Sequence, residues 1–272
     1  MGDGVNWMSI VDFEQSPDGV RLAYQHDGPA DDMGRCGFFW LGGFRSDMEG
    51  TKAEALASLA RDVRRPSLRF DYSGHGKSGG AFEDGTISTW LAEARHMFTK
   101  KTNSRRVIVG SSMGGWLALL LVRTLMLADV TAARRIAGIV LIAPAVDMTS
   151  DLMWDEFSPA VRTQVERDGV YMRPSDYGEP CPITLKLLRD GANHLLLKKG
   201  LELKCPVRIL QGSADRDVPP SHALKVFGAL SGPDTTLTLI KGGDHRLSTP
   251  GQLRLIRETA LRLAERADGI TP

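Results

Sequence analysis

The chain has 272 residues, of which 42% are hydrophobic and 25% are charged, the composition of an ordinary globular protein. Its 34 basic and 33 acidic residues leave a net charge of +1, which gives no electrostatic reason to expect nucleic acid or an anionic membrane as a partner. The longest apolar stretch, residues 136–146, is shorter than the about 20 residues that span a bilayer. These properties argue against a disordered, fibrous or membrane-spanning chain.

The cysteines and the N-terminal segment bear on location. Cys36, Cys181 and Cys205 are odd in number and widely spaced, so we expect thiols in a reducing compartment and neither a disulfide framework nor a zinc site. Residues 1–15 are acidic and lack the basic and apolar regions of a targeting signal. We therefore expect a cytoplasmic location.

The chain begins with a predicted hairpin and continues as alternating strands and helices. Residues 9–15 and 20–26 alternate around Ser16-Pro17-Asp18-Gly19, which predicts an antiparallel hairpin at a sheet edge. Short apolar runs then predict buried strands over residues 37–41, 68–72, 106–110, 136–143, 207–211 and 236–240. Between them, helical patterns cover residues 49–62, 86–101, 114–128, 219–230 and 250–267. This alternation predicts an α/β fold, a mostly parallel sheet with helices on both faces.

Residues 145–204 interrupt this alternation and predict a small helical cap inserted into a core of residues 1–144 and 205–272. The insertion shows no clear strand and follows the carboxyl end of one, where α/β sheets bind ligands. Its apolar residues predict an acyl-binding pocket, with Trp154 and Phe157 as candidate substrate contacts. The alternative is a structural subdomain with no role in binding.

The strongest motif is Gly110-Ser111-Ser112-Met113-Gly114, a G-x-S-x-G sequence between a predicted strand and a predicted helix. This context is the one that a nucleophile elbow requires, because the sharp turn exposes the serine hydroxyl above the sheet. The helix N-terminus adds partial positive charge near the hydroxyl. The motif predicts Ser112 as a nucleophile; the alternative is a glycine-rich turn with a capping serine.

A serine hydroxyl needs a base, and the base needs a group that orients it. In this type of site the acid and then the histidine follow the serine along the chain. Asp215 follows the predicted strand 207–211, and His245 follows the next strand. Both therefore belong to loops at the sheet edge where Ser112 lies. We predict His245 as the base and Asp215 as the residue that orients it.

Other acids and histidines are weaker candidates for the roles of orienting acid and base. Asp147 is the main rival acid, because some serine hydrolases place the acid after that strand, and Asp217 and Asp244 are lesser rivals. Surface or packing roles are expected for the remaining histidines outside the loop of His75, namely His26, His96, His194 and His222.

An oxyanion hole should accompany the nucleophile. The main-chain N–H of Met113 is the expected first donor, because it follows the nucleophile. The second is expected from the loop 42–46, where Phe44 presents an N–H and Gly43 lets the backbone approach the substrate. The alternative for this loop is a plain glycine turn.

The sequence Gly76-Lys77-Ser78 resembles the end of a phosphate-binding loop but lacks the rest of the motif. The full motif requires a glycine five residues before Gly76, where this chain has Asp71. No helix is predicted from Ser78, so we reject nucleotide binding.

Several stretches together resemble a known family, namely residues 50–53, 69–74, 109–116, 172–177 and 244–246. In addition, residues 71–78 match the D-x-x-G-x-G-x-S loop that follows a strand in many α/β-hydrolases. Over nearly its whole length the chain resembles this family, and within it the mitochondrial acyl-protein thioesterase and acyl-glucuronide esterase subgroup. The resemblance implies the α/β-hydrolase fold, a triad of Ser112, Asp215 and His245, and a structural role for His75.

The chain differs from many family members in its oxyanion loop and from the animal subgroup in its N-terminal segment. Many family members have a histidine where this chain has Gly42, which bears on the details of the oxyanion loop. The subgroup is mitochondrial in animals, but residues 1–15 do not resemble a transit peptide. A bacterial relative would fit the cytoplasmic location expected above.

The expected function is hydrolysis of carboxylic esters or thioesters through an acyl-enzyme, without metal or cofactor. The expected substrate is a small-molecule ester or acyl-thioester with an apolar acyl group, or an acylated protein. A peptidase or amidase, and an acyltransferase, are alternatives that use the same triad. A non-catalytic binding protein on the same fold is the alternative from another class.

Overall fold

A large β-sheet sets the position of every loop named above. The computed structural model describes residues 10–29, 34–174, 179–232 and 234–270. The strands of these residues are β1 (Asp12–Gln15), β2 (Arg21–Asp27), β3 (Gly37–Leu41), β4 (Ser67–Phe70), β5 (Arg106–Ser111), β6 (Ile136–Ile142), β7 (Val170–Arg173), β8 (Cys181–Thr184), β9 (Leu201–Glu202), β10 (Val207–Gly212), β11 (Leu230–Ser231) and β12 (Thr235–Ile240).

Eight of the strands in the described residues form one sheet, in the order β1-β2-β4-β3-β5-β6-β10-β12. β2 pairs antiparallel with β1 and with β4, whereas every pair from β4 to β12 is parallel. The predicted edge hairpin and the predicted parallel sheet are therefore confirmed. The hairpin strands are shifted by a few residues, because β1 pairs only from Asp12, opposite Tyr24.

Helices cover both faces of this sheet, as predicted. They are α1 (Thr51–Asp62), α2 (Ile87–Lys101), α3 (Met113–Ala128), α4 (Val130–Ala133), α5 (Pro159–Asp168), α6 (Leu185–Gly191), α7 (Pro220–Ala229) and α8 (Pro250–Ala267). The starts of α2 and α8 follow from their caps, since Thr86 and Thr249 each accept a bond from a first-turn N–H group. In α8 the side chain of Gln252 also accepts from the Thr249 N–H, which completes a capping box.

The central strand β5 separates two apolar cores. Ile108 faces a core shared with α2 and α3, whereas Val107 and Val109 face a second core shared with α1 and α8. This alternation is the period of two expected for a strand buried on both faces. The helix that follows Ser112 is buried over most of its first half, so the position of that serine is fixed by the core beneath it.

The insertion between β6 and β10 contains helices, as predicted, together with strands that the sequence did not reveal. A π-helical turn (Thr149–Trp154), α5 and α6 are its main helical parts. The expectation that it holds no strand is wrong, because β7 and β8 pair antiparallel and β9 pairs with β11. These strands have only two to four residues each, too few to show a period of two.

The division into core and cap, with its boundaries, stays a prediction. Residues 1–9 carry most of the expectation about targeting, and residues 175–177 carry part of one family-like stretch. Both segments lie outside the described residues. No helix of the described ranges is long and apolar enough to cross a bilayer.

A buried ion network joins β2, β4 and α1 beneath the loops of the site. The Asp27 carboxylate, whose side chain is fully buried, accepts from Arg69 at 2.9 Å and from Arg61 at 2.6 Å. Arg69 also donates to the main-chain oxygen of Met48 at 2.7 Å and to Glu54. The Arg69 side chain is 3% exposed, so its charge depends on these acceptors.

Asp27→Ala should destabilise the fold by about 3–5 kcal/mol, because it leaves the Arg69 guanidinium buried beside one fewer carboxylate. Urea unfolding followed by circular dichroism measures this free energy. Glu54→Ala is the matched control: its side chain is 44% exposed, and the loss should stay below about 1 kcal/mol. Equal losses for the two variants would contradict the importance of the buried pair.

Candidate active site

Ser112 lies at a sharp turn between β5 and α3, and its backbone is in the left-handed region with φ 55°. Three main-chain bonds hold this conformation. The Ser112 N–H donates to Ile142 O at 2.9 Å, and its carbonyl accepts from the N–H groups of Gly115 and Ala145. The strand–turn–helix context predicted from the motif is present, with a strained serine at its tip.

The motif glycines are required by close backbone contact. A Cβ at Gly110 would lie 2.3 Å from Gly114 O, and a Cβ at Gly114 would lie 2.1 Å from Leu41 O. Both distances are far below contact, and the atoms met belong to the main chain. Glycine at 110 therefore lets the chain turn back closely on itself, and glycine at 114 lets the turn pack against the end of β3.

Ser112, His245 and Asp215 form one hydrogen-bonded row. Nε2 of His245 lies 3.1 Å from Oγ of Ser112, and Nδ1 of His245 lies 2.9 Å from Oδ2 of Asp215. Asp215 follows β10 and His245 follows β12, so three loops that are distant in sequence meet at the carboxyl edge of the sheet. The structure brings together the three residues that the sequence singled out.

The Asp215 carboxylate is buried and held from several directions. Oδ1 accepts from the main-chain N–H groups of Asp217, at 3.0 Å, and Val218, at 2.8 Å. Oδ2 accepts from Nε2 of Gln211 at 3.1 Å as well as from His245. These bonds fix the oxygen that faces the imidazole, and Gln211 is a partner that sequence reasoning did not identify.

The rival acids lie in other environments. Asp147 accepts from the main-chain N–H groups of Leu196 and Leu197, which ties the inserted segment to the end of β6. Burial raises the pKa of Asp147. Asp217 is exposed, and Asp244 accepts from the Leu247 N–H within its own turn.

The other histidines have the packing or surface contacts expected of them. His222 is buried and bonds to Val146 O at 2.8 Å. His96 contacts Glu14, and His194 contacts Ser88. His26 packs edge-on against Tyr24.

The main-chain N–H groups of Phe44 and Met113 have no acceptor among the described residues, and Phe44 lines the same cavity as Ser112. Met113 begins α3, and Phe44 belongs to the loop after β3. Gly43 lies against the nucleophile, since a Cβ there would be 3.3 Å from Cβ of Ser112. The expectation that the N–H groups of Phe44 and Met113 form an oxyanion hole stays a prediction.

The loop of residues 71–78 is held by hydrogen bonds to its own Asp71 and by a bond from the Met48 N–H to Asp71. Asp71 accepts from the N–H groups of Met48 and Lys77, and Ser78 donates to Asp71 O at 2.7 Å. Burial raises the pKa of Asp71. No helix begins at Ser78, so the segment does not have the structure of a phosphate-binding loop.

A cavity of about 440 Å³ opens beside Ser112, and most of its polar lining was not identified from the sequence. Besides Ser112, His245, Gly43 and Phe44, it is lined by residues that include Trp40, Ser46, Asp47, Thr51, Lys52, Arg246 and Ser248. The resemblance had marked residues 50–53 and 244–246 without giving them a role. Their position in the fold supplies one, as walls of this cavity.

Lys52 is the most unusual of these residues. Its Nζ donates to Arg246 O at 2.5 Å, and no carboxylate of the described residues forms an ion pair with it. Burial is the main reason that the pKa of Lys52 falls from 10.5 to about 8, while Asp244 and Asp215 oppose this shift at longer range. The cavity beside Ser112 thus contains a partly buried lysine without a carboxylate partner in the described residues.

Trp154 and Phe157, the predicted substrate contacts, do not line this cavity. Trp154 lines a separate cavity of about 250 Å³ together with Leu185 and Leu188. Phe157 packs edge-on against Tyr171, with ring centroids 5.4 Å apart. Of the three residues proposed to contact substrate, only Gly43 borders the cavity beside Ser112.

The described residues contain one group that resembles a metal site, formed by Asp215, Asp217 and His245. Their ligand atoms lie within 4.8 Å of one another. Nδ1 of His245 and both oxygens of Asp215 already take part in hydrogen bonds, so a cation would have to replace them. The expectation that no metal or cofactor is needed remains a prediction.

The sequence of the chain matches a known protein family. The model of the alpha/beta hydrolase family matches residues 36–254. The chain belongs to this family. The resemblance found in the sequence and the predicted fold class are both confirmed.

Individual relatives of this hydrolase are similar over most of their length. A putative hydrolase from Agrobacterium vitis S4 has 41% identity and a TM-score of 0.89, covering 94% of this chain and 98% of its own. Mouse alpha/beta hydrolase domain-containing protein 10 has 26% identity and a TM-score of 0.81, covering 95% and 99%. Palmitoyl-protein thioesterase ABHD10, mitochondrial, from Bos taurus is 28% identical, covering 90% of this chain and 77% of the relative.

The expected cytoplasmic location is wrong by this comparison. The relatives from Bos taurus, Pongo abelii and Homo sapiens are named as mitochondrial proteins. These names place the relatives in mitochondria and contradict the expectation of a cytoplasmic location. Composition and the absence of a recognisable signal in residues 1–15 were weak grounds for the original expectation.

Lys52→Met should stabilise the hydrolase at pH 7 by up to about 3 kcal/mol, and by less at pH 10. Because the pKa of Lys52 is lower in the folded state, the penalty for its charge is complete below pH 8 and fades as the pH rises towards 10.5. Chemical unfolding of variant and wild type at both pH values measures the difference. Lys52→Arg, which keeps the cation, is the control; an equal gain from Lys52→Met at both pH values would refute the assignment.

Proposed function

We propose that this hydrolase cleaves carboxylic esters or thioesters through an acyl-enzyme on Ser112. The observation that carries the proposal is the row of hydrogen bonds from Ser112 through His245 to Asp215. It is the arrangement that a serine nucleophile needs, with a base within reach and an acid that orients the base. Hydrolysis of esters or thioesters agrees with the family and with the names of the relatives.

In the first half of the reaction, Nε2 of His245 takes the proton of Ser112 as Oγ attacks the substrate carbonyl. The carbonyl oxygen becomes an anion, which the N–H groups of Phe44 and Met113 stabilise. The C–O or C–S bond then breaks, and the imidazolium gives its proton to the leaving alcohol or thiol. In the second half, His245 activates a water that releases the acid and restores Ser112.

Asp215 makes this exchange possible by fixing the imidazole. Its Oδ2 accepts from Nδ1 of His245, so the other nitrogen, Nε2, carries the lone pair that faces Ser112. The carboxylate also stabilises the imidazolium as the proton arrives. Gln211 and the N–H groups after Asp215 prevent the carboxylate from turning away.

The substrate is proposed to carry an apolar acyl group, on a small molecule or on a protein. Support comes from the relatives named palmitoyl-protein thioesterase, whose name describes a long-chain acyl thioester. The cavity beside Ser112 does not add to this support, because Lys52, Thr51 and Asp47 give it a polar wall. An amidase or an acyltransferase would use the same triad, and product analysis distinguishes these activities.

Ser112→Ala should lower kcat for 4-nitrophenyl esters by up to about 10⁶-fold, because it removes the nucleophile. The variant should also fail to react with a fluorophosphonate probe, which intact-protein mass spectrometry detects. A variant that keeps the wild-type rate and the label would disprove the acyl-enzyme on Ser112.

Substitution of two neighbouring acids, Asp215 and Asp217, tests whether Asp215 orients the imidazole of His245. Asp215→Asn should lower kcat by about 10⁴-fold, because the amide can hold the wrong imidazole tautomer. Asp217→Asn, two residues later and exposed, should keep the wild-type rate. Equal effects at the two positions would remove Asp215 from the mechanism.

Acyl preference should appear as a rise of kcat/KM with chain length, from acetyl to palmitoyl, for oxygen esters and for matched thioesters. An apolar acyl-binding region explains the rise, because each buried CH₂ contributes about 0.8 kcal/mol. Chromatography of the products, with and without an added alcohol acceptor, separates hydrolysis from acyl transfer. A flat series, or faster cleavage of matched amides, would contradict the proposed substrate class.

A further inference from the structure

The loop that presents the Phe44 N–H is a tight turn with an unfavourable backbone. The N–H of Ser46 donates to Gly43 O at 3.1 Å, which closes a turn with Phe44 and Arg45 at its centre. Arg45 has φ 58°, in the left-handed region that favours glycine or asparagine at this turn position. An arginine there remains only where neighbouring groups hold it.

Contacts from two other segments hold Arg45. Its guanidinium donates to Glu179 O at 2.9 Å and to Pro180 O at 3.2 Å, both in the inserted segment. Its main-chain N–H donates to Nε2 of His75 at 3.3 Å. The second contact bears directly on the peptide that joins Phe44 to Arg45, next to the N–H proposed to bind the oxyanion.

The surroundings of His75 prepare Nε2 to accept this bond. Nδ1 lies 3.0 Å from Ser73 O, a carbonyl that can only accept, so Nδ1 carries the hydrogen of the ring. The ring is 4% exposed and packs edge-on against Phe82 and Trp90, with centroids 5.2 Å away in each case. Burial lowers the pKa of His75, which favours the neutral ring and leaves Nε2 with a lone pair.

The segment beneath His75 is itself anchored. The N–H of Ser73 donates to the buried carboxyl of Glu93 at 3.0 Å, and Ser73 O also accepts from Nε1 of Trp90 at 3.2 Å. The position of His75 is thus set by α2, which carries both Trp90 and Glu93. The imidazole thus links the segment anchored on α2 to the turn 43–46.

We propose that His75 is a positioning residue for the hydrolysis: by accepting from the Arg45 N–H, it holds the turn 43–46 so that the Phe44 N–H faces the oxyanion. This inference rests on the proposed function, because it assigns a purpose to the donors of that reaction. It goes beyond the structural loop role that the family resemblance implied.

The contact should affect the transition state more than substrate binding. Without an acceptor at Nε2, the Arg45 N–H is unpaired and the left-handed turn can relax, which moves the Phe44 donor away from the oxyanion. A ground-state carbonyl depends little on that donor, whereas the anionic intermediate depends on it strongly. Loss of the contact should therefore lower kcat and leave KM nearly unchanged.

A pair of amide substitutions tests the acceptor itself. Gln and Asn do not titrate and both lose the ring, but only Gln can place an oxygen where Nε2 lies. His75→Asn should lower kcat by about 10- to 100-fold, less than the complete loss of an oxyanion donor, with KM within about twofold of wild type. His75→Gln should recover most of this loss. Affinity for a trifluoromethyl ketone, which forms an oxyanion on the serine, should fall in parallel with kcat.

His222→Gln is the matched control, since His222 is also a buried histidine but has its contact at Val146 O. It should keep the wild-type kcat, and thermal unfolding of all variants verifies that each is folded at the assay temperature. If His75→Gln is no better than His75→Asn, or if His222→Gln loses as much activity, the inference is overturned.

The two proposals fail in different ways. The proposed function fails if the wild type has no hydrolytic activity, or if Ser112→Ala keeps that activity. If that hydrolysis is present and His75→Asn retains the wild-type kcat, only the role of His75 is refuted. Should His75→Asn not fold, His75→Phe, which keeps a ring but provides no acceptor, replaces it in the comparison with His75→Gln.

Discussion

The left-handed backbone of Ser112 is the constraint on which the site depends. Residues with a side chain avoid this conformation, so the surrounding structure must hold it. Gly110 and Gly114 let the turn pack on β3, and the carbonyl at the end of β6 accepts the Ser112 N–H. The packed α3 below completes the support. The backbone of Ser112 is thereby fixed, which is the preorganisation that its proposed role as nucleophile requires.

Backbone strain is concentrated around the same edge of the sheet. Apart from Arg64, the described non-glycine residues with positive φ lie on loops that follow the carboxyl ends of strands: Arg45, Ser112, Ala143, Asp147 and Leu247. Two of these loops are also held by a buried polar side chain. His75 bonds to the first loop, and Asp147 fixes the segment after β6 to the inserted helices. Hydrogen bonds can therefore fix the geometry of the loops at this edge of the sheet without additional apolar packing.

Features with a local signature were predictable from the sequence, and those that depend on long-range contact were not. The elbow at Ser112 has a glycine pattern, and Asp215 and His245 follow recognisable strands, so their convergence follows from parallel topology. Lys52 and Gln211 belong to an ordinary helix and an ordinary strand, and only the folded chain brings them to the site. The strands β7 and β8 are too short to show a period. The expected cytoplasmic location is contradicted by the names of the relatives, and the fold itself carries no information on location.

The cavity beside Ser112 shows how stability and function compete at this site. Lys52 is desolvated without a carboxylate partner, and burial shifts its pKa downwards, so its charge opposes folding near neutral pH. Elsewhere in the molecule a buried cation is fully paired, as Arg69 is by Asp27 and Glu54. The two cations therefore differ in their effect on stability. Arg69 is paired and contributes to the folded structure, whereas the unpaired Lys52 is expected to lower the stability of the fold at a position where a substrate can approach. A lysine without a carboxylate partner among the described residues, in the cavity beside Ser112, fits the substrate site of the proposed reaction, where an acyl substrate would approach it.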